Sequence, residues 1–191
     1  TTLRAIALHN QTVEDSFRRG HQLAEAKRVA ETQARTDSLT GLVNRRAFTD
    51  TAEALLRVAV REGRSATMML IDIDDFKRIN DHHGHATGDA ALLHVARLLS
   101  ENLRASDVCG RLGGDEFAVL LPNTDLAAAT DVAEKLRASI AQRPLPTGDG
   151  LPMTLSIGVA GDAFDVENLL NHADAAMYRA KRGGKNRIAA A

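Results

Sequence analysis

Residues 111–121, Arg111-Leu112-Gly113-Gly114-Asp115-Glu116-Phe117-Ala118-Val119-Leu120-Leu121, decide how the chain is read. Two adjacent glycines followed by two acids, with β-type apolar residues on both sides, predict a hairpin whose tip presents carboxylates. A tight hairpin turn needs positive φ, which glycine adopts without a Cβ penalty. Gly113 and Gly114 also leave no side chain to block a ligand. Asp115 and Glu116 then stand where a strand begins, beside a turn that a phosphate or a metal ion can approach. Taken alone, the stretch reads equally well as a solvated turn with ordinary surface acids.

The segments upstream decide between the two. Val108 to Arg111 begins the first hairpin strand, with Cys109 as a small core residue. Arg104-Ala105-Ser106-Asp107 ends a helix that opens at Gly88-Asp89 and carries Leu92, Val95, Leu99 and Leu103 on one face. Asp89 in its first turn complements the helix dipole. His82-His83-Gly84-His85 reads as a polar turn, because its tight spacing gives neither the helical i, i+4 pair nor a remote second pair of ligands. Ala66 to Ile73 reads as a buried strand, and Asp72 within it is anomalous. A carboxylate between Ile71 and Ile73 costs on the order of several kcal/mol to bury unless it is paired or bound to a metal. A metal site at the strand end is the preferred reading, with a buried salt bridge as the other.

Downstream, Pro122 to Asp125 predicts a turn and cap before a helix with Ala129, Val132, Leu136 and Ile140 inward. A Pro- and Gly-rich loop over 143–150 leads to a strand from Met153 to Ala160. A last helix buries Val166, Leu169, Ala173, Met177 and Ala180. It ends at Lys181-Arg182-Gly183-Gly184-Lys185, and a short strand around Asn186 to Ile188 follows. At the other end of the chain, Asn44 caps a helix with Phe48, Ala52, Leu55 and Ala59 in a stripe. Residues 1–36 are rich in Ala, Glu, Gln, Lys and Arg, with Leu3, Ile6, Val13 and Phe17 at heptad spacing. They predict a long helix that pairs with a copy of itself or extends an upstream sensor, with a frayed solvated tail as the alternative.

Composition sets outer bounds. The 191 residues are 44% hydrophobic, enough for one good core without staples. A net charge of −1 and 3% aromatics argue against a nucleic-acid binder, which normally shows a basic excess and stacking platforms. The single Cys109 excludes an intrachain disulfide and suits a reducing cytosol. No apolar run is long enough to cross a bilayer. The first residue is Thr, so the expectation is a cytoplasmic fragment whose missing upstream region is able to tether it to a membrane.

Asp72 at a strand end and Asp115 with Glu116 at a hairpin form, if adjacent strands bring them together, an all-oxygen site suited to Mg²⁺ or Mn²⁺ rather than zinc. Such a site typically holds a nucleoside triphosphate and activates an attacking hydroxyl by the two-metal route. Lys77, Lys181 and Lys185 are candidates to neutralise phosphate charge. Asn80 and Asp89 are placed to face a base. Guanine offers two N–H donors to a carboxylate and an acceptor to an amide, whereas adenine offers no such donor pair, so an Asp with an Asn favours guanine.

Gly113-Gly114-Asp115-Glu116-Phe117 resembles the signature of the GGDEF family of diguanylate cyclases. So do the block from Asp37 to Arg46, the Asp72-to-Asp81 block and Gly84-His85-Ala86-Thr87-Gly88-Asp89. Ser156-Ile157-Gly158-Val159 and the block from Asp174 to Lys181 complete six ordered motifs over residues 36–188. The resemblance implies a palm-like α/β (α+β) sandwich, akin to class III nucleotidyl cyclases and polymerase palms. Its central sheet is expected to be mainly antiparallel and five-stranded, flanked by helices. The implied domains are a signalling helix over 1–36 and a cyclase domain over 37–191.

The implied reaction condenses two GTP into cyclic di-GMP and two pyrophosphates. The resemblance makes Asp72, the Ile73 carbonyl, Asp115 and Glu116 ligands for two metal ions. It makes Asn80 and Asp89 guanine readers, and Lys77, Lys181 and Lys185 triphosphate contacts. Backbone amides around Asp75 and Phe76 cradle the terminal phosphates, near Gly113 and Gly114. Arg104 and Asp107 resemble an inhibitory RxxD product site, with Lys135 as a second basic contact where an Arg would fit better. Because each member holds one GTP, the resemblance implies a homodimer, with an upstream sensor acting through the N-terminal helix. The alternative function is a catalytically silent receptor for GTP or cyclic di-GMP, disfavoured because all three acids are present.

Overall fold

The computed structural model describes residues 35–147, 150–161 and 165–191. The helix expected through Leu3, Ile6, Val13 and Phe17 lies outside the described residues. In chain order the elements are β1 (Val43–Asn44), α1 (Arg45–Glu62), β2 (Ala66–Ile73), α2 (Phe76–His83), α3 (His85–Asn102), β3 (Val108–Gly113), β4 (Glu116–Pro122), α4 (Leu126–Gln142), β5 (Leu155–Ala160), α5 (Val166–Arg182) and β6 (Arg187–Ala190).

The sheet runs β1-β3-β4-β2-β5-β6. The inner pairs β3/β4, β4/β2 and β2/β5 are antiparallel, and the edges β1 and β6 join parallel to β3 and β5. It is mainly antiparallel as expected, but it has six strands rather than five. The extra strand is Val43–Asn44, which pairs with Gly110 and Arg111. Two residues carry no alternation to read, and Asn44 also serves as the cap of α1, its side chain accepting from Ala47 N.

Strand β2 is buried along its whole length and lies at the centre. Its alternating side chains separate two cores. Met69, Ile71 and Ile73 pack with Leu92, Val95 and Leu99 of α3 and with Ala129, Ala133, Leu136 and Ile140 of α4. Met68 and Leu70 pack on the other face with Phe48, Ala52 and Leu56 of α1 and with Leu169, Ala173 and Met177 of α5. By the same alternation Asp72 belongs to the second face, toward α5. The helix stripes are as expected except in phase: Leu56 rather than Leu55 is the buried leucine of α1, and Ala133 is buried where Val132 is only half-buried.

Two helix contacts are set by glycine. A Cβ on Gly158 of β5 would stand 1.9 Å from the Ala173 carbonyl oxygen and 2.3 Å from Met177 N, so α5 rests directly on the strand backbone. A Cβ on Gly88 would stand 2.0 Å from Asn80 Oδ1. Gly88 therefore lies inside α3, against α2, and does not open the helix. Helix α3 begins three residues earlier, at His85, after Gly84 turns with φ 82°. The His82–His85 stretch is accordingly the end of one helix, a glycine turn and the start of the next.

Candidate active site

The hairpin forms as the glycines dictate. Gly113 and Gly114 have φ of 148° and 52°, and open space surrounds both Cα atoms. The register shifts between Arg111 and Gly113, so the tip bulges and Glu116 becomes the first residue of β4. Glu116 is then the direct cross-strand partner of Asp72.

Asp72 is 5% exposed, and the Lys181 ammonium lies 2.7 Å from its Oδ2. Asp72 is thus paired with a cation, an arrangement that leaves its use as a metal ligand open. Burial pushes the Asp72 carboxyl up to about 6; Lys181 pulls it down, while the nearby charges of Asp115 and Glu116 push it further up. Three carboxylates thus share one electrostatic neighbourhood with one ammonium group.

Among the described residues, no three His, Cys, Asp or Glu side chains converge as a preformed metal cage. Mg²⁺ is characteristically held by one or two carboxylates with waters and substrate phosphates, rather than by protein alone. A buried Asp facing a Glu across adjacent strands, with a third acid at the hairpin tip, is an all-oxygen donor set of that kind. The residues fit a hard divalent ion.

Beyond Ile73 the chain turns sharply. Asp75 is in the left-handed region, at φ 57°, and is the N-cap of α2 without a side-chain cap hydrogen bond. The caps of α1, α4 and α5, in contrast, are closed by Asn44, Asp125 and Asp165. The first N–H groups of α2, from Phe76 onward, therefore lack the side-chain acceptor that closes α1, α4 and α5, as do those of α3 after Gly84. The Lys185 ammonium lies 2.6 Å from Asp75 Oδ1 and holds that carboxyl below the usual range. Lys77, in the first turn of α2, is exposed. Asn80 on the same helix lays its amide over Gly88, the residue before the exposed Asp89.

The Arg104–Asp107 segment stands at the far end of β3 from the hairpin tip, about 20 Å away at ordinary strand rise. Asp107 closes its own turn, accepting from Arg104 N at 2.8 Å and from Ser106 Oγ at 3.3 Å. Arg104 and Asp107 line a cleft of about 570 Å³ with Leu42, Leu103 and Cys109. Lys135 is exposed on α4.

Three residues at the site were not singled out from sequence. Arg111 grips the hairpin from its base: its Nε and Nη2 donate to the Gly114 carbonyl at 3.0 and 2.7 Å, and its Nη1 donates to Asp37 Oδ1 at 3.1 Å. Burial works to raise the Asp37 carboxyl, but hydrogen bonds from Thr40 and the Arg111 guanidinium hold it below the usual range. Arg45 donates from Nε to the Leu112 carbonyl at 2.8 Å, and its Nη2 lies 3.9 Å from Glu116 Oε2. The third is Asp74, described below. The one available signal was the planar five-donor fork of arginine beside a bulged, acid-bearing turn.

A mixed sheet between helical layers, with Asp72 of the central strand directly across from Glu116 of a glycine hairpin, defines a palm-like nucleotidyl-cyclase type of domain. The chain belongs to the GGDEF family: the family's sequence model, described as "Diguanylate cyclase, GGDEF domain", matches residues 34–187. It is 43% identical over 159 residues to the response regulator PleD of Caulobacter vibrioides, covering 80% of this chain and 35% of that protein. It is 40% identical over 177 residues to the diguanylate cyclase DgcM of Escherichia coli K12, covering 90% of this chain and 42% of that protein. The chain thus spans under half the length of these curated relatives. Among solved structures, the coiled coil and GGDEF domain of DgcB from Caulobacter crescentus in complex with c-di-GMP superposes with a TM-score of 0.90. That match is 31% identical and covers 95% of this chain and 98% of the other. The diguanylate cyclase SiaD of Pseudomonas aeruginosa, in complex with its activator SiaC, matches with a TM-score of 0.81 and 32% identity over 98% of this chain and 74% of the other. Among the described residues no helix is long and apolar enough to cross a membrane.

Proposed function

We propose that this chain is the catalytic segment of a diguanylate cyclase, joining two GTP into cyclic di-GMP with release of two pyrophosphates. The observation that carries it is Asp72, buried and pushed up to about 6, directly across from Glu116 of the glycine hairpin. Acids are buried and crowded in this way where a cation is to be held.

In this proposal Asp72, the Ile73 carbonyl, Asp115 and Glu116 hold two Mg²⁺ or Mn²⁺ ions. When bound, the ions offset phosphate charge and ease deprotonation of the attacking hydroxyl. Asn80 and Asp89 read the guanine edge. The uncapped first turn of α2, at Asp75, Phe76 and Lys77, offers N–H groups and the positive end of a helix dipole to the terminal phosphates. Lys181 and Lys185 approach the same phosphates from the end of α5. Gly113 and Gly114 leave room for the nucleotide to lie against the hairpin.

The 3′-oxygen of one GTP bonds to the α-phosphorus of the other as the bond to the departing pyrophosphate breaks, and the hydroxyl proton leaves to a base or solvent. The second ring-closing bond forms in the same way. Two protomers face each other for this, and residues 1–36 serve as the pairing helix that raises their effective concentration. Arg104, Asp107 and Lys135 form the product-binding feedback site, with the closed turn at Asp107 presenting Arg104 outward. Such a domain works in the cytoplasm, under an upstream sensor.

Incubation with GTP and Mg²⁺ followed by chromatography tests this directly. The expected product is cyclic di-GMP, at a rate per protein that rises with protein concentration. Binding of GTP or cyclic di-GMP with no turnover at any concentration points instead to the receptor reading.

A further inference from the structure

Asp74 is the third acid at the end of β2, and neither the metal nor the nucleotide contacts proposed above use it. It is 7% exposed, yet no cation among the described residues pairs with it. Its carboxylate is satisfied by three donors from two parts of the chain, the start of β5 and the turn after α5. Ser156 Oγ donates to Oδ1 at 2.6 Å, Thr154 Oγ1 donates to Oδ2 at 2.6 Å, and Asn186 N donates to Oδ2 at 2.9 Å. Its own N–H donates to the Thr154 carbonyl at 3.0 Å.

What these bonds hold is strained. Asp75, the next residue, has φ 57°; Asn186, whose N–H meets Asp74, and Lys185 before it have φ of 46° and 62°. None of the three is glycine; Asp and Asn enter the left-handed region more readily than other side chains, so it is chiefly Lys185 whose conformation needs surrounding contacts to enforce it. Charge-assisted hydrogen bonds to a buried carboxylate are among the stronger constraints available. On either side of Asp74, the Lys181–Asp72 and Lys185–Asp75 pairs then bridge the same two segments.

We propose that Asp74 is the positioning residue for the triphosphate end of the site. Its carboxylate pins the turn of Lys185 and Asn186 to the end of β2, and so fixes where the Lys185 ammonium and the first N–H groups of α2 stand relative to one another. The proposal rests on the cyclase reading above.

The test is a double-mutant cycle between Asp74 and Lys185. It uses a GTP analogue with a methylene in place of the α–β bridging oxygen, with Mg²⁺, alongside GMP, which lacks the terminal phosphates. Residues acting as a unit lose less together than separately, whereas independent losses multiply. Asp74→Asn keeps an oxygen for Asn186 N–H, and Ser156 Oγ is able to rotate to accept from the new amide, so the fold is retained. Affinity for the analogue is expected to fall about tenfold in Asp74→Asn and in Lys185→Ala, and less than about twofold further in the double variant, each tenfold being one decade in Kd. GMP affinity is expected to be unchanged throughout, and Asp74→Ala to be weaker for the analogue than Asp74→Asn. Thr154→Val and Ser156→Ala each remove one donor to Asp74 without altering it, and are expected to give the same selective loss in smaller degree. Losses that multiply, a matching fall in GMP affinity, or analogue binding in Asp74→Asn equal to that of the parent chain would overturn the proposal. If the parent chain itself does not bind the analogue, the cyclase reading fails and this one with it.

Discussion

The Lys181 ammonium lies 2.7 Å from Asp72 Oδ2, at the point where α5 ends over the centre of the sheet. Asp72 nevertheless remains pushed up to about 6, because burial and the acids of the hairpin outweigh that one contact. The sign of the effect on stability follows. A carboxyl that holds its proton more tightly folded than unfolded favours the fold at low pH, and that contribution is lost as the pH rises from about 4 through about 6. The difference amounts to roughly 2–4 kcal/mol. Asp72→Asn should therefore be more stable than the parent chain at pH 7, and the gap should close toward pH 4. Urea unfolding across that range measures it, and an Asp72→Asn variant less stable at pH 7 would contradict the burial account.

The same ionisation governs activity with the opposite sense. Cation binding requires the charged carboxylate, so cyclase rate and Mg²⁺ affinity should rise with pH through about 6. Lys181→Met removes the ammonium that favours the charged form, and should move that midpoint upward. An unmoved midpoint in Lys181→Met would mean that another group sets the profile.

Asp115→Ala and Glu116→Gln should each lower cyclic di-GMP formation by at least about a hundredfold, as expected for loss of a donor to a catalytic cation. Both residues are only half-buried, so thermal unfolding should shift little. Product formation by either variant at near the parent rate would remove the hairpin from the chemistry.

Gly88 leaves the space that the Asn80 amide occupies. Gly88→Ala must displace that amide while leaving Lys181 and Lys185 in place. It should raise the KM for GTP by about tenfold, the scale of one misplaced base contact, and reduce discrimination against ATP. Asp89→Ser should relax the same discrimination. Initial rates with the two nucleotides decide the matter; selectivity unchanged in both variants would assign base reading elsewhere.

Arg111 joins the hairpin carbonyl of Gly114 to Asp37, with both side chains of the ion pair largely buried. Arg111→Ala should cost about 1–2 kcal/mol, because it leaves a partly buried carboxylate and the Gly114 carbonyl without their donor. Asp37→Asn should cost less, and the double variant should fall short of the sum. Additive losses in chemical denaturation would show that the two residues act separately.

Much of the site was legible because it breaks local rules. A carboxylate in an apolar strand and two glycines ahead of two acids are anomalies that packing alone does not produce, and they mark Asp72, Asp115 and Glu116. The helices showed through their apolar stripes, subject to a one-residue slip at Leu56 and Ala133. Less visible were features without period or locality. The strand Val43–Asn44 is too short to alternate. The start of α3 was placed at Gly88, because a glycine inside a helix looks like a boundary unless its neighbour on α2 is known. Arg111 meets Asp37 across 74 positions, and Asp74 meets Asn186 across 112. No window of sequence contains either pair.

The bare backbone of Gly158 beneath Ala173 and Met177 has a consequence for how this family member can change. Even one added carbon there would lift α5 and tilt its last turn, carrying the cation at 181 off its carboxylate. The seat of α5 on bare backbone therefore leaves almost no latitude at position 158, and any residue larger than glycine there should disturb the acid response set at 181.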